Sequence, residues 1–234
     1  MDRRLIIYGD IHGCYYEFVS LRKKINPSQN EIEVCVGDII TRGEYSLKVL
    51  RYIKKNNIQS AIGNHEDKIK RYLNHKKLGE RNPVILDRDE NKIVNELNES
   101  DINFINNMPT FIKHGKVVIL HGGLQNNFDL KKLSKKERSR ILRLRYLTKN
   151  NKFIPYGNEN SESIFWSDIY DGGQGFVVYG HQVFDNVKVN KNSLGIDTGC
   201  VYGNKLSAVV FEDVNNPCSY NVFDIKKSNN LITS

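Results

Sequence analysis

"IIYGDIHGCY", residues 6–15, runs an apolar strand straight into an aspartate and a histidine two positions apart. Leu5 to Tyr8 has the composition of a strand buried on both faces, and Gly9 and Gly13 let the chain turn sharply around Asp10 and His12. In open α/β sheets the carboxyl ends of strands form the binding crevice. An Asp-x-His pair there offers one oxygen and one nitrogen to the same divalent ion.

The design recurs along the chain. In "EIEVCVGDIITRG", residues 31–43, an apolar strand from Ile32 to Val36 precedes Gly37 and Asp38, with Arg42 four residues on and Gly43 closing the turn. A third strand, Ile58 to Ile62, ends in "GNHED" and puts Asn64 and His65 at the next crevice position. "KVVILHGG" adds His121 and "FVVYGHQ" adds His181, each following an apolar run and adjoining glycine. Four of the six histidines therefore follow strands in one pattern, which separates them from the ordinary packed histidine of a core. His75 and His114 fall outside it and read as structural or surface residues.

"GDIHG", "GDIITRG", "GNHE", "HGG" and "YGHQ", in this order and at these separations, resemble the phosphoprotein phosphatase branch of the calcineurin-like metallophosphoesterases. The resemblance runs from about Leu5 to Asp213. The late "GIDTGCVYGNKLSAVVFED", residues 195–213, is similar to the ending of bacterial symmetrical diadenosine tetraphosphate hydrolases and of the phosphatase module of bacterial polynucleotide kinase-phosphatases. "LRLRYLT", residues 142–148, resembles an arginine segment of the tetraphosphate hydrolases.

Residue by residue, the resemblance implies a site for two divalent ions. Asp10 and His12 would hold the first, Asp38 would bridge, and Asn64, His121 and His181 would hold the second. Mixed oxygen and imidazole donors suit Mn, with Fe or Zn as alternatives, better than an all-oxygen magnesium cage. Two such ions clamp a phosphoryl group and lower the pKa of a shared water, generating hydroxide for in-line attack on phosphorus. By the same resemblance Arg42 would offer its planar guanidinium to phosphate oxygens, Asn64, Arg143 and Arg145 would be further substrate contacts, and His65 would be the acid for the leaving oxygen. Asp197, after the strand "SLGI", is placed to support a ligand from behind.

One position departs from the pattern. The second motif of the protein phosphatases usually reads GDxxDRG, and its second aspartate supports the histidine acid; here the position is Thr41. A hydroxyl brings no negative charge to stabilise an imidazolium, so the chemistry should lean toward good leaving groups such as nucleoside polyphosphates. Glu66 offers a partial replacement for the missing charge.

Length and composition fit one α/β domain over residues 1–234 with a sizeable core. No run of eighteen apolar residues occurs, so neither a membrane span nor a signal peptide is expected. Cys14, Cys35, Cys200 and Cys218 lack metal-finger spacing, and a reducing, cytoplasmic setting is expected. The net charge is +8, and between Lys131 and Lys149 nine Lys or Arg face one acid, Glu137, leaving 26 basic and 26 acidic residues elsewhere. Segment 131–149 thus holds the whole excess and reads as a basic cap that draws polyanions toward the site, with a plain solvated basic helix as the alternative.

The remaining segments are plainer. Cys14, Phe18, Leu21 and Ile25 form one helical stripe, as do Leu47, Leu50 and Ile53. "NESDINFINNMP" reads as a helix ended by Pro109, Leu78 to Arg88 as a polar connection, and "KFIPYGNENSESIFWSDIYDGGQG", residues 152–175, as a long loop anchored by Trp166. The Lys-, Ser- and Asn-rich end after Asp224 is expected to fray in its last residues. The resulting expectation is a four-layer αββα sandwich of the metallo-dependent phosphatase type, the second sheet resting on the resemblance. The expected activity is hydrolysis of a dinucleoside polyphosphate such as diadenosine tetraphosphate. A serine/threonine or tyrosine protein phosphatase is the runner-up, an enzyme acting on nucleic-acid ends comes third, and a nucleic-acid-binding module with a relic metal site is the reading from another class.

Overall fold

The computed structural model describes residues 3–79 and 81–228, so the tail expected to fray, 229–234, lies outside the described residues. The first half of the chain alternates strand and helix: β1 (Leu5–Tyr8), α1 (Tyr15–Ile25), β2 (Ile32–Cys35), α2 (Ser46–Lys55), β3 (Gln59–Ser60), α3 (Asn64–Leu78), α4 (Arg88–Glu96) and α5 (Glu99–Asn107). Then follow β4 (Phe111–His114), β5 (Val117–Leu120), α6 (Lys135–Ile141), β6 (Tyr146–Leu147), β7 (Phe153–Ile154), β8 (Ile164–Phe165), β9 (Phe176–Tyr179), β10 (Lys188–Asn190), β11 (Ser193–Gly195), β12 (Lys205–Phe211) and β13 (Tyr220–Lys226).

Two mixed five-stranded sheets result, ordered β13-β12-β1-β2-β3 and β10-β11-β9-β5-β4. β1, β2 and β3 run parallel through the crossovers α1 and α2, and β5, β9 and β11 run parallel in the other sheet. Side-chain alternation sorts the residues into layers. Ile6 and Tyr8 pack with Phe18, Leu21, Leu50 and Ile53 under the helices, while Leu5 and Ile7 face Ile119, Val178 and Ile196 between the sheets. On the far side, Val118, Leu120, Val177 and Tyr179 are covered by Ile141, Leu144 and Trp166. The order is thus helices, sheet, sheet, and an outer layer of α6 with the small sheet β7-β6-β8.

Glu33, a carboxylate inside β2, is the one acid among buried strand residues of the first sheet, and Arg22 of α1 grips it with Nε and Nη2 at 2.9 and 3.0 Å. Tyr8 donates its hydroxyl to the same carboxylate at 2.7 Å. This fork ties α1 to the sheet and satisfies a charge that burial would otherwise penalise by several kcal/mol.

Some elements differ from the sequence expectation. The third strand pairs only over Gln59–Ser60, because Ile62 turns to give its N–H to Pro109 O. On α2 the buried face is Val49, Leu50 and Ile53, with Leu47 at its margin. Residues 152–175 are not a plain loop: Ile154 and Phe165 both pair with Tyr146, and the segment carries β7, β8 and a 3-10 turn over Trp166–Asp168. Two-residue strands are too short for alternation to be read, and only the burial of Phe165 and Trp166 gives them a place. Among the described residues no helix is long and apolar enough to cross a membrane.

Candidate active site

The five glycine-bearing motifs leave the carboxyl ends of β1, β2, β3, β5 and β9, and the stacking of the two sheets brings them to one place. Glycine makes the convergence possible at two points. A Cβ on Gly180 would stand 1.9 Å from Asp10 Oδ1, and one on Gly63 would stand 2.1 Å from Asp38 Oδ1. The turns themselves are strained: His12, Asp38, Thr41, Arg42 and His181 all have positive φ, between 43° and 71°. Such conformations cost about 1–3 kcal/mol each, and Thr41, being β-branched, is the least suited to one.

Asp38 is the centre. Its Oδ2 lies 3.2 Å from His121 Nε2, 3.5 Å from His12 Nε2 and 3.9 Å from His65 Nε2. Its Oδ1 accepts the His65 backbone N–H at 3.1 Å. Two ligand-like groups share Asp38, one with His12 and His65 and one with His121 and His181, the donor atoms of each lying within 4.8 Å of one another. Asn64 Oδ1 is 3.0 Å from His121 Nε2. Asp10 belongs to neither group, and its Oδ2 accepts the His181 N–H at 3.1 Å.

The donor set fits a divalent ion on internal grounds. His12 Nδ1 lies 3.1 Å from Ile40 O, an acceptor, so the ring hydrogen belongs on Nδ1 and Nε2 presents a bare lone pair. That lone pair faces the Asp38 carboxylate, an unfavourable pairing that a cation between them reverses. Burial pushes His12 down to about 4, and it lowers His65 from the ordinary imidazole value and His181 well below it. Burial, with the charges of Asp197 and Asp38, raises Asp10 well above the ordinary carboxylate range, and burial lifts Asp197 to about 6. For Asp38 burial acts in the same upward sense, and the imidazoles of His121, His65 and His12 outweigh it and hold the group well below the ordinary value. Three crowded carboxyls and four imidazoles form a site whose charge balance calls for bound cations.

Thr41 Oγ1 lies 2.7 Å from His65 Nδ1, so the hydroxyl occupies the supporting place behind the ring. Glu66 is elsewhere. Its Oε1 accepts N–H from Ile39 and Ile40 at 3.0 and 3.2 Å, and its Oε2 accepts N–H from Asp38 and Gly63 at 2.9 and 3.0 Å. Glu66 therefore braces the strained Asp38 turn and, among the described residues, has no hydrogen bond to the His65 ring. Burial and the Asp38 charge raise its carboxyl to about 7. Asp197 accepts the Gly199 N–H at 3.0 Å and lines the cavity beside Asp38.

That cavity, about 720 Å³, is walled by His12, Asp38, Asn64 and His181 and also by Arg42, Arg143 and Arg145. The exposed Arg42 guanidinium stacks over Tyr202 at 5.4 Å. Arg143 gives Nη2 to Asp67 at 2.7 Å, and Arg145 gives Nη2 to His181 O at 3.3 Å. Of the nine basic residues of 131–149, these two reach the cavity; Lys131, Lys132, Lys135, Lys136 and Arg138 are exposed to solvent. Asn64 and His65 form the first turn of α3, whose N-terminus adds a partial positive charge at the same place.

The sequence reading overlooked Tyr156, Tyr202, Phe153 and Gln182, which line the same cavity. Tyr202 lay inside the quoted "GCVYG", whereas Tyr156 sits in a Gly- and Asn-rich stretch with no periodic signal. The tertiary fold also brings Cys14 and Cys200 together with Glu17, where Lys227 Nζ stands 3.1 Å from Glu17 Oε1 and 3.7 Å from Cys14 Sγ. The ammonium supplies the positive charge of that cluster itself.

The chain has relatives of known name among bacterial proteins. The chain is 30% identical to the asymmetrical bis(5'-nucleosyl)-tetraphosphatase PrpE of Bacillus subtilis (strain 168), over 89% of this chain and 91% of that protein. It is 28% identical to the enzyme of the same name from Bacillus velezensis, over 88% of each chain. Both names specify asymmetrical cleavage, whereas the motif resemblance ran to the symmetrical hydrolases. A solved structure described as "a putative diadenosine tetraphosphatase" superposes with a TM-score of 0.79 at 23% identity, covering 97% of this chain and 95% of the other. A cold-active protein tyrosine phosphatase superposes at 0.61 with 15% identity, covering 95% of this chain and 79% of the other. These two likenesses concern the fold. The profile of the calcineurin-like phosphoesterases matches residues 3–217, and the chain belongs to that family.

Proposed function

We propose that this protein is a two-metal phosphohydrolase that cleaves dinucleoside polyphosphates such as diadenosine tetraphosphate, and that it does so asymmetrically. The single observation that carries the reading is the bare His12 Nε2 facing Asp38 Oδ2 at 3.5 Å inside a cavity walled by three arginines. Asp10, His12 and Asp38 would hold one ion, and Asp38, Asn64, His121 and His181 the other. When bound, divalent ions such as Mn neutralise phosphate charge and acidify a water for attack on phosphorus.

The chain's own residues do the rest. Arg42, free to swing from its stack on Tyr202, forks onto phosphate oxygens and balances charge as the bond to the leaving group breaks. Arg143 and Arg145 hold the remainder of the polyphosphate, and the N-terminus of α3 adds its partial positive charge. In this reading segment 131–149 acts as a cap through those two arginines. His65 gives its proton to the leaving oxygen from Nε2, with Thr41 behind Nδ1. A hydroxyl supports an imidazolium less than a carboxylate does, which favours a nucleoside polyphosphate as leaving group over a serine or threonine alkoxide. The names of the bacterial relatives support both the nucleotide and the asymmetrical outcome.

The test is product analysis with manganese-loaded protein, using diadenosine tetraphosphate, para-nitrophenyl phosphate, and phosphothreonine and phosphotyrosine peptides, with Asp38→Asn as background. ATP and AMP in equal amounts are expected from the dinucleotide. Two ADP would leave the nucleotide reading standing and overturn its asymmetry. Faster turnover of either peptide would make the protein a phosphoprotein phosphatase.

A further inference from the structure

Tyr156 is 83% exposed, and its ring lies under the Arg145 guanidinium at 5.0 Å. Single exposed aromatics are common on protein surfaces. Three features set this one apart. First, it stands where two cavities meet: the large one containing Asp38, about 720 Å³, and a neighbour of about 420 Å³. Arg145, Tyr156 and Gln182 line both. Second, the neighbouring cavity is finished with polar side chains, Glu159, Asn160 and Ser163, beside Tyr146. Third, the ring is presented by a stiff turn. Pro155 fixes the backbone before it, Asn158 N–H returns to Pro155 O at 3.1 Å, and Gly157, at φ +86°, gives its N–H to Glu159 Oε2 at 2.7 Å.

Moving outward from Asp38, the wall is cationic, then aromatic, then neutral and acidic polar. That is the order of partners met along a nucleotide, from phosphate to base. A guanidinium that already stacks on a tyrosine defines a second π-face beside it, and a base inserted there gains both ring stacking and a cationic neighbour. Amide and carboxylate groups behind it match the donors and acceptors on a base edge. Because the turn is held before binding, little ordering entropy is lost on stacking.

We propose that Tyr156 and Arg145, with the polar cavity behind them, form a nucleobase subsite; the assignment rests on the polyphosphate-hydrolase reading above and adds the residues that recognise the nucleoside. Arg145 links the two parts, since it also gives Nη2 to the carbonyl of His181. Tyr202, stacked by Arg42, presents a second aromatic face on the same cavity.

The experiment is isothermal titration of manganese-loaded wild type, Tyr156→Ala and Tyr156→Phe with a non-hydrolysable methylene analogue of ATP and with its base-free polyphosphonate counterpart. Wild-type cleavage of diadenosine tetraphosphate is measured alongside. Loss of one base stack weakens the nucleotide about 5- to 150-fold relative to the base-free ligand in Tyr156→Ala. Tyr156→Phe retains the ring and is expected to keep the wild-type ratio. An unchanged affinity ratio in Tyr156→Ala, or a wild type that binds both ligands equally, overturns the subsite. If the wild type still cleaves the dinucleotide in that case, the proposed function survives; if it does not, that reading has failed separately. Loss of affinity for both ligands in equal measure would make Tyr156 a support for Arg145 and also overturn the subsite. Since Tyr156 is exposed, both variants should fold, which a thermal melt checks.

Discussion

Replacing Thr41 with aspartate tests how far one missing carboxylate sets the chemistry. Thr41 Oγ1 sits 2.7 Å from His65 Nδ1, so a carboxylate oxygen there would meet the same ring nitrogen. At that separation and an effective dielectric constant near 20, attraction to an imidazolium is about 6 kcal/mol. The position is 2% exposed, and burying a new carboxylate removes several kcal/mol of this gain. Asp38, already 3.9 Å from His65 Nε2, adds like-charge repulsion against the newcomer. A net stabilisation of the imidazolium by about 1.4 kcal/mol is what survives, which raises the His65 pKa. The backbone favours the exchange, since aspartate tolerates the φ of 71° better than a β-branched residue.

A more fully protonated acid matters only when the leaving oxygen needs a proton. The assay is therefore kcat/KM across aryl phosphates of graded leaving-group pKa and one alkyl phosphate, in manganese, for wild type, Thr41→Asp and Thr41→Val. Thr41→Asp should raise the alkyl-to-aryl ratio about tenfold and flatten the dependence on leaving-group pKa. Thr41→Val, which keeps the shape and removes the hydrogen bond, should lower the ratio. Ratios equal to wild type in both variants would refute a supporting role for position 41.

Gly180→Ala should abolish activity while leaving a cooperative melt, because its Cβ would land on Asp10 Oδ1 and displace that carboxylate from His181; full activity would sink the claim that this approach assembles the site. Manganese at one hundred times its dissociation constant should stabilise the fold by about 2.7 kcal/mol, read as a rise of about 5–11 °C in Tm, and Asp38→Asn should remove the rise. Away from the site, Asp101 takes Lys54 Nζ at 2.6 Å and Arg51 Nη2 at 3.1 Å. Burial would raise its carboxyl, but Lys54 and Arg51 outweigh burial and hold it below the ordinary range. Its folded pKa being depressed, the stabilisation is complete above the unfolded pKa of about 4 and is lost as pH falls through the lower folded value. Asp101→Asn should thus cost about 2 kcal/mol at pH 7 and little at pH 2, measured by urea unfolding at both; an equal cost at both would show that the charge is not involved.

Much of the site could be read from local sequence because its signals are local. Apolar runs such as Leu5 to Tyr8 identify a strand buried on both faces, and the glycines beside Asp10, Asp38, His121 and His181 mark turns where a polar group must leave the strand end. The stripe of α1 was legible for the same reason, since a helical face is defined within a few turns. Within 131–149 the arginine segment singled out Arg143 and Arg145 from seven other basic residues, and those two line the cavity.

Other features depend on partners far away in the chain. Glu66 looked like a stand-in for the aspartate missing at position 41, yet its oxygens are claimed by four backbone N–H groups that only the packing of the Asp38 turn on α3 brings near. The strands β7 and β8 are two residues long, so burial against Trp166 rather than periodicity creates them. Tyr156 acquires its setting from Arg145 and Gln182, eleven and twenty-six residues away. The residue types at each strand end, and hence the metal-directed chemistry, follow from neighbours in sequence. Their meeting at Asp38 follows from stacking Leu5, Ile7 and Val34 of one sheet on Ile119, Val178 and Ile196 of the other, a burial of apolar surface that no short stretch of chain contains.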